Sequence, residues 1–297
     1  VGFEAIVRPA NKAAGKAGLF ELPSLAVSVV TYATNLPDLA QTLVSLERAV
    51  GYAKNLEVLG SARLFFIDNG PGDVWRHQLQ DILADANRSG RFDTMELLSG
   101  HGNIGYGAGH NLAIRRNVCD FHLILNPDVL LAENALLQAL AFMAAHPDAG
   151  LLTPAVVDGL GNRQYLCKRY PAVLDLLLRG FAPSFFKQLF KKRLDRYELR
   201  DLLGDAVVWD MPIVSGCFML FRRSVLTQVQ GFSPAYFLYF EDFDISLRTA
   251  RVARTAYVPT VRITHFGGHA AKKGRRHIGM FLRSAFTFFN QHGWKWV

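Results

Sequence analysis

Cysteine is scarce in this 297-residue chain, and the three present, Cys119, Cys167 and Cys217, are odd in number and far apart. That spacing offers neither a disulfide framework nor a zinc-ligand pattern, and it favours a reducing, cytoplasmic setting. No uninterrupted apolar run reaches the roughly 18 residues of a membrane span, so no transmembrane helix is expected. The first residues, Val1-Gly-Phe-Glu-Ala5, lack the basic-then-apolar layout of a secretory signal. No repeat, low-complexity tract or Gly/Ser linker interrupts the sequence. Nor does a Gly-Lys-Ser/Thr sequence supply a phosphate-cradling P-loop.

What is present is apolar: half the residues are hydrophobic and 20% are charged, which excludes a disordered chain. The length suffices for one large α/β domain or two small ones with a sizeable core. The net charge of +8 is unevenly placed. Residues 1–159 hold 11 Lys+Arg against 16 Asp+Glu, whereas residues 160–297 hold 22 against 9. A basic half fits a phosphate-bearing partner, whether nucleotide, nucleic acid or membrane surface, or else a merely solvated face.

Residues 1–23 show no clear period and read as a loose tail or an extra helix. From there, β-branched and apolar runs at 25–31, 63–68, 94–98 and 121–125 read as strands. Helical spacing between the first two (Leu39, Leu43, Leu46, Val50), a helix to about Ala86 and another near 111–118 alternate with them. The alternation predicts an α/β fold with a mainly parallel, helix-covered sheet, whose ligands sit at the carboxyl ends of its strands. Thr31, Asp68, Asn69, Asn126 and Asp128 fall at such ends. Residues 24–159 are therefore assigned to nucleotide binding, 160–270 to the acceptor and catalysis, and 271–297 to a basic, aromatic helix. In the second half, 207–209, 218–221 and 261–264 read as strands and 241–251 as a helix. Residues 173–194 form a Leu/Phe-rich segment broken by Gly180 and Pro183.

Gly100-His-Gly-Asn-Ile-Gly105 matches the dinucleotide fingerprint in letters, but it follows the third strand. The nearby acid, Asp120, precedes the fourth strand where the fingerprint needs an acid ending the next one. Its glycines read instead as a loop admitting a ligand close to the backbone, with Asn103 and Asn111 as polar contacts. Asn126-Pro-Asp128 places a carboxylate where a strand stops, suited to a divalent cation bridging a diphosphate. Glu241, Asp242 and Asp244 follow the aromatic run Tyr236-Phe-Leu-Tyr-Phe240. At a helix start such acids complement the dipole, yet capping does not need so apolar a setting, and partial burial suits a general base. His265 ends a strand beside Gly267-Gly268, a place from which it can reach a metal or phosphate, with His269 and His277 as weaker candidates.

These motifs together resemble the family 2 glycosyltransferases of the GT-A fold, and in particular bacterial rhamnosyltransferases of O-antigen and cell-wall assembly. The likeness runs from about Leu25 to His269. It includes Val29-Val-Thr31-Tyr, Phe66-Ile-Asp68-Asn69, Asn103-Ile-Gly105-Tyr-Gly, Leu125-Asn126-Pro-Asp128, Val214-Ser-Gly216-Cys-Phe-Met and Tyr239-Phe-Glu241-Asp242-Phe-Asp244-Ile-Ser-Leu-Arg248. The resemblance implies a donor site on Thr31, Asp68, Asn69, Asn103, Gly105, Asn111, Asn126 and Asp128. It implies Mg²⁺ or Mn²⁺ on Asp128 and His265, with Asn126 standing where the family usually has an Asp. Asp242 is the implied base, with Glu241 and Asp244 as supporting acids. Arg248, Lys272 and Lys273 are the candidates for the acceptor's phosphates, the basic run from Lys272 to His277 fitting a diphosphate or acidic lipid, or else simply being solvated. The implied reaction is an inverting transfer, from dTDP-L-rhamnose to N-acetylglucosamine on a polyprenyl diphosphate. A UDP-hexose donor is the alternative, and a nucleic-acid-binding module the non-enzyme one. Aromatic-basic stretches at 174–193 and 275–296 suit a peripheral place on the inner face of the cytoplasmic membrane, or else pack on the sheet.

Overall fold

The computed structural model describes residues 21–267 and 274–297. Residues 1–20 of the expected tail, and His269, Lys272 and Lys273, lie outside them. Among the described residues ten strands form one sheet. They are β1 (Ser24–Thr31), β2 (Ser61–Asp68), β3 (Thr94–Leu98), β4 (Phe121–Leu125), β5 (Val129–Leu131), β6 (Ala149–Val157), β7 (Arg163–Gln164), β8 (Val208–Trp209), β9 (Phe218–Arg222) and β10 (Arg254–His265). The main path runs β3-β2-β1-β4-β9-β6-β10-β5. β3, β2, β1 and β4 are mutually parallel, as are β6 and β10, while β9 enters antiparallel between β4 and β6. Strands buried on both faces, such as β1 and β4, read as continuous apolar runs, which is why the first half was legible. The halves divided at 159 nevertheless share this one sheet.

Two pairings bring distant segments to the site. Because β9 runs antiparallel, its entry lies beside the exit of β4, with Leu125 opposite Phe218 and the Asn126 N–H on the Cys217 carbonyl at 3.0 Å. β5 turns back on β10, which sets Val129 opposite His265 and leaves Asp128 next to that histidine.

The helix Leu36–Asn55 starts at Asn35, whose side chain accepts the Asp38 N–H, and buries Leu39, Leu43, Leu46 and Val50 on the sheet. The helix expected near 111–118 is shifted: it spans Tyr106–Ile114, so its glycines lie inside it. Packing explains them. A Cβ on Gly107 would stand 2.8 Å from Phe232 Cβ, and one on Gly109 3.0 Å from Val30. These two glycines serve helix packing and not approach by a ligand.

The Leu/Phe-rich segment is three helices, Val173–Phe181, Ser184–Leu189 and Lys191–Tyr197. Their inner face joins the last helix, Arg275–His292, in a separate core holding Leu176, Tyr197, Tyr236, Phe240, Phe288 and Phe289. The chain end closes on it, with the Val173 and Leu174 N–H groups on the Lys295 and Trp296 carbonyls. Both aromatic-basic stretches thus pack by one face and expose the other. No helix among the described residues is long and apolar enough to cross a membrane.

Candidate active site

At the carboxyl edge of the sheet, Thr31 is fully buried and its hydroxyl donates to the Ile67 carbonyl at 3.3 Å. Asp68 Oδ1 accepts the Gly70 N–H at 2.8 Å, and Oδ2 lies 3.5 Å from Arg76 Nε. Asn69 is buried and donates to the Gly105 carbonyl at 3.0 Å, while its Oδ1 meets His101 Nε2 at 3.0 Å. Asn103, exposed, accepts the Gly105 N–H at 3.1 Å. Gly105 has φ +91°, and a Cβ there would come 2.4 Å from the Phe237 carbonyl oxygen, so only glycine closes this contact. The structure therefore brings together the β1 and β2 ends and the 100–105 loop, and it ties that loop to the chain just ahead of the acids.

Asn111 is not among them. Its side chain accepts the Phe232 N–H at 2.9 Å and donates to the Phe232 carbonyl at 2.8 Å, fixing the 231–232 turn. Asp244 and Arg248 are likewise committed elsewhere. Arg248 bonds Asp244 at 2.8 Å and the Gly231 carbonyl at 2.8 Å, and it also donates to the Val229 carbonyl. Asp244 in turn holds His292 at 2.9 Å. The Asp244–His292 bond ties the acid-bearing helix, Glu241–Thr249, to the last helix, and the Arg248 bonds tie it to the 229–231 turn. Asn111, Asp244 and Arg248 thus make their hydrogen bonds within the fold, to the 229–232 turn, to each other and to His292.

A run of polar contacts joins the carboxyl end of β4 to Asp242. The Tyr106 hydroxyl, in contact with both Asn126 Oδ1 (3.0 Å) and the Gly216 carbonyl (2.7 Å), sits at its centre. The N–H of the same residue, Gly216, donates to Asp242 Oδ2 at 3.1 Å, and the Phe243 N–H meets Oδ1 at 3.0 Å. Neither Tyr106 nor Gly216 was assigned a role from the sequence. Both lie inside the motifs quoted, but the roles of Gly216 are played by backbone groups, which carry no residue-type signal. Burial, and then the charges of Glu241 and Asp242, push the Tyr106 phenol up, so it stays a donor.

Burial also pushes the Asp242 and Glu241 carboxyls above the ordinary carboxylate range. For Asp242, backbone N–H groups oppose that rise. Glu241 Oε2 is buried with no hydrogen-bond partner. Just before the pair, Tyr239 and Phe240 both have left-handed backbone (φ +69° and +66°), a strain of the kind held at functional sites by surrounding packing.

Asp128 and His265 form the other constellation. His265 Nε2 lies 3.4 Å from Asp128 Oδ1, a buried oxygen that accepts no hydrogen bond. Its ring occupies space that a Cβ on Gly267 would invade at 2.3 Å. An unsatisfied carboxylate oxygen beside an imidazole nitrogen suits a divalent cation such as Mn²⁺. Among the described residues no cluster of three His, Cys, Asp or Glu completes such a shell, so these two would share a cation with substrate or water oxygens.

A family model described as glycosyltransferase like family 2 matches residues 81–278. N-acetylglucosaminyl-diphospho-decaprenol L-rhamnosyltransferase of Mycobacterium tuberculosis is 26% identical over 219 residues, covering 69% of this chain and 70% of that protein. Rhamnosyltransferase WbbL of Escherichia coli K12 is 28% identical over 185 residues, covering 59% and 65%. Among solved structures, the mannosyltransferase PcManGT of Pyrobaculum calidifontis, in complex with GDP-Man and Mn²⁺, superposes with a TM-score of 0.60 at 18% identity. GalNAc-T7 with UDP, GalNAc and Mn²⁺ gives 0.57 at 13% identity. They align with 92% and 82% of this chain, which spans 65% and 43% of their lengths, and at such identity the likeness concerns the fold.

Proposed function

The chain belongs to glycosyltransferase-like family 2, and from that premise we propose that it moves L-rhamnose from dTDP-L-rhamnose, with inversion, onto N-acetylglucosamine carried by a polyprenyl diphosphate. The names of the relatives support the sugar and, for the mycobacterial one, the acceptor. The observation that carries the reading is the path Asn126–Tyr106–Gly216–Asp242, which holds one carboxylate at a set place beside the nucleotide edge of the sheet.

Asp242 accepts the proton of the acceptor hydroxyl, which attacks the anomeric carbon from the face opposite the nucleotide. One displacement inverts that centre, so a β-L-rhamnosyl donor gives an α-linked product. Its two backbone N–H bonds hold the carboxylate in place, and burial raises its basicity toward what proton removal needs. Asp68, Asn69 and the 100–105 loop bind the nucleoside, with the buried Thr31 shaping the floor. Asp128 and His265 would hold Mg²⁺ or Mn²⁺, which when bound supplies positive charge against the departing diphosphate.

The test is transfer from dTDP-L-rhamnose to a polyprenyl-diphosphate N-acetylglucosamine, with Mg²⁺ or Mn²⁺ and with chelator, alongside UDP-hexoses. Asp242→Asn is expected to lose about 10²- to 10⁴-fold in kcat. Its nucleotide affinity by calorimetry should stay near wild type. Wild-type turnover by that variant removes Asp242 as the base, and transfer from a UDP-hexose alone replaces the donor.

A further inference from the structure

On one side of Asp242, three cations share a single carboxylate. Lys168 Nζ and Arg179 Nε each lie 3.4 Å from Glu198 Oε1, and Arg200 Nη2 lies 2.7 Å from Oε2. Lys168 is buried and also donates to the Tyr165 carbonyl, so it is a fixed part of the interior. Arg179 differs. Its side chain is 50% exposed, whereas that of Lys168, at the same 3.4 Å from Glu198, is 4% exposed. Because Lys168 and Arg200 already neutralise Glu198, Arg179 is free to turn to another anion without leaving a carboxylate unpaired. Its charge reaches the site: it opposes the burial that raises Asp242, and it acts on the neighbouring Tyr197.

The same segment continues away from Arg179 as an apolar surface. Leu177, Phe181, Phe185, Phe186 and Leu189 are all exposed, Phe185 by 71% and Leu189 by 68%, with Lys187 among them. Asp242, a half-exposed guanidinium and an aromatic-aliphatic face thus belong to adjoining elements. A lipid-linked acceptor has matching parts in matching order: a sugar hydroxyl, a diphosphate and an isoprenoid tail. We propose that Arg179 binds the acceptor's diphosphate, with the tail lying over the exposed face of residues 177–189. The assignment rests on the acceptor class proposed above, and charge and apolar surface both fit that one occupant.

The test uses two acceptors, polyprenyl-diphosphate N-acetylglucosamine and an alkyl glycoside of N-acetylglucosamine without phosphate, with Arg179→Gln and Arg179→Lys, at a pH on the plateau of the wild-type profile. Arg179→Gln should raise KM for the diphosphate acceptor about 10- to 100-fold, the scale of a lost charge-assisted contact. Donor KM should hold within about twofold, KM for the alkyl glycoside should not move, and Arg179→Lys should recover part of the loss. An equal KM rise on both acceptors means a structural role and overturns the proposal, as does an unchanged KM for the diphosphate acceptor. If the wild type glycosylates neither acceptor, the acceptor class fails and Arg179's role with it. If it turns over normally while Arg179→Gln is silent, only the role of Arg179 is lost.

Discussion

Glu241 and Asp242 are neighbours in sequence with opposite hydrogen-bond endowments. Asp242 accepts two backbone N–H groups, whereas Glu241 Oε2 accepts none, so the surroundings favour a proton on Glu241 and an ionised Asp242. This is the division that the proposed base needs near neutral pH. The folded pKa of Glu241 is raised above its ordinary 4.5, by burial first and by Asp242 second. Its contribution to stability is therefore fully present below the unfolded value and is lost as pH rises toward the folded one. Glu241→Gln fixes the neutral state, so its Tm should match wild type near pH 4.5 and exceed it increasingly as pH rises toward 8. A difference that stays flat over that range would show that Glu241 is not held protonated. At this scale the sequence singled out Asp242, Asp128 and His265 by type and place, and the structure sets Asp242 against two backbone N–H groups and His265 beside Asp128. It was silent on Gly216, whose backbone carbonyl meets Tyr106 and whose backbone N–H meets Asp242.

At the level of elements, β1, β4 and the 106–114 helix meet around a small polar core. Ser28 Oγ is 2.7 Å from His110 Nδ1 and 2.8 Å from His122 Nε2, and all three residues are fully buried. Burial holds both imidazoles neutral, pushing His122 down to about 3 and His110 well below its usual range. A depressed histidine stabilises above its unfolded pKa of about 6.5 and loses that contribution as pH falls below it, by about 1.4 kcal/mol for each unit. His122→Gln removes this titration. The variant should be less stable than wild type at pH 7.5, and the gap should narrow by about 1 kcal/mol at pH 5.5 in urea melts. Taking the difference cancels the carboxylates of the distant acid pair, which shift the other way. A constant gap would mean that His122 is not buried neutral.

This seam also shows why the first strands were legible and the helix between them was not. Apolar runs at β1 and β4 announce strands, whereas Gly107 and Gly109 disguise a helix whose glycines answer to Phe232 and Val30, residues far away in sequence. β9 was legible as a strand at 218–221, but its antiparallel place between β4 and β6, which brings Gly216 to the site, depends on partners far away in sequence.

For the whole molecule, the charge division at residue 159 survives the finding that both halves build one sheet, because the excess positive charge lies largely outside it. The 173–197 helices and the last helix bury one face together in a shared aromatic core. Their outer faces leave Phe185, Leu189, Leu282 and Phe286 exposed, interleaved with Lys187, Lys192 and Arg283. Such a surface lies well in a bilayer interface, where basic side chains near an anionic leaflet contribute about 1 kcal/mol each and apolar side chains add the rest. The two contributions separate by salt, since screening weakens only the first beyond a Debye length of about 10 Å at 0.1 M. The protein is expected to float with vesicles containing anionic lipid at low salt and to be largely released at about 0.5 M salt. Phe185→Ser with Leu189→Ser should weaken flotation at both salts, and Lys187→Gln with Lys192→Gln only at the lower. Absence of flotation at low salt would leave these faces without a membrane role, and binding that ignores salt would assign it to the aromatic residues alone.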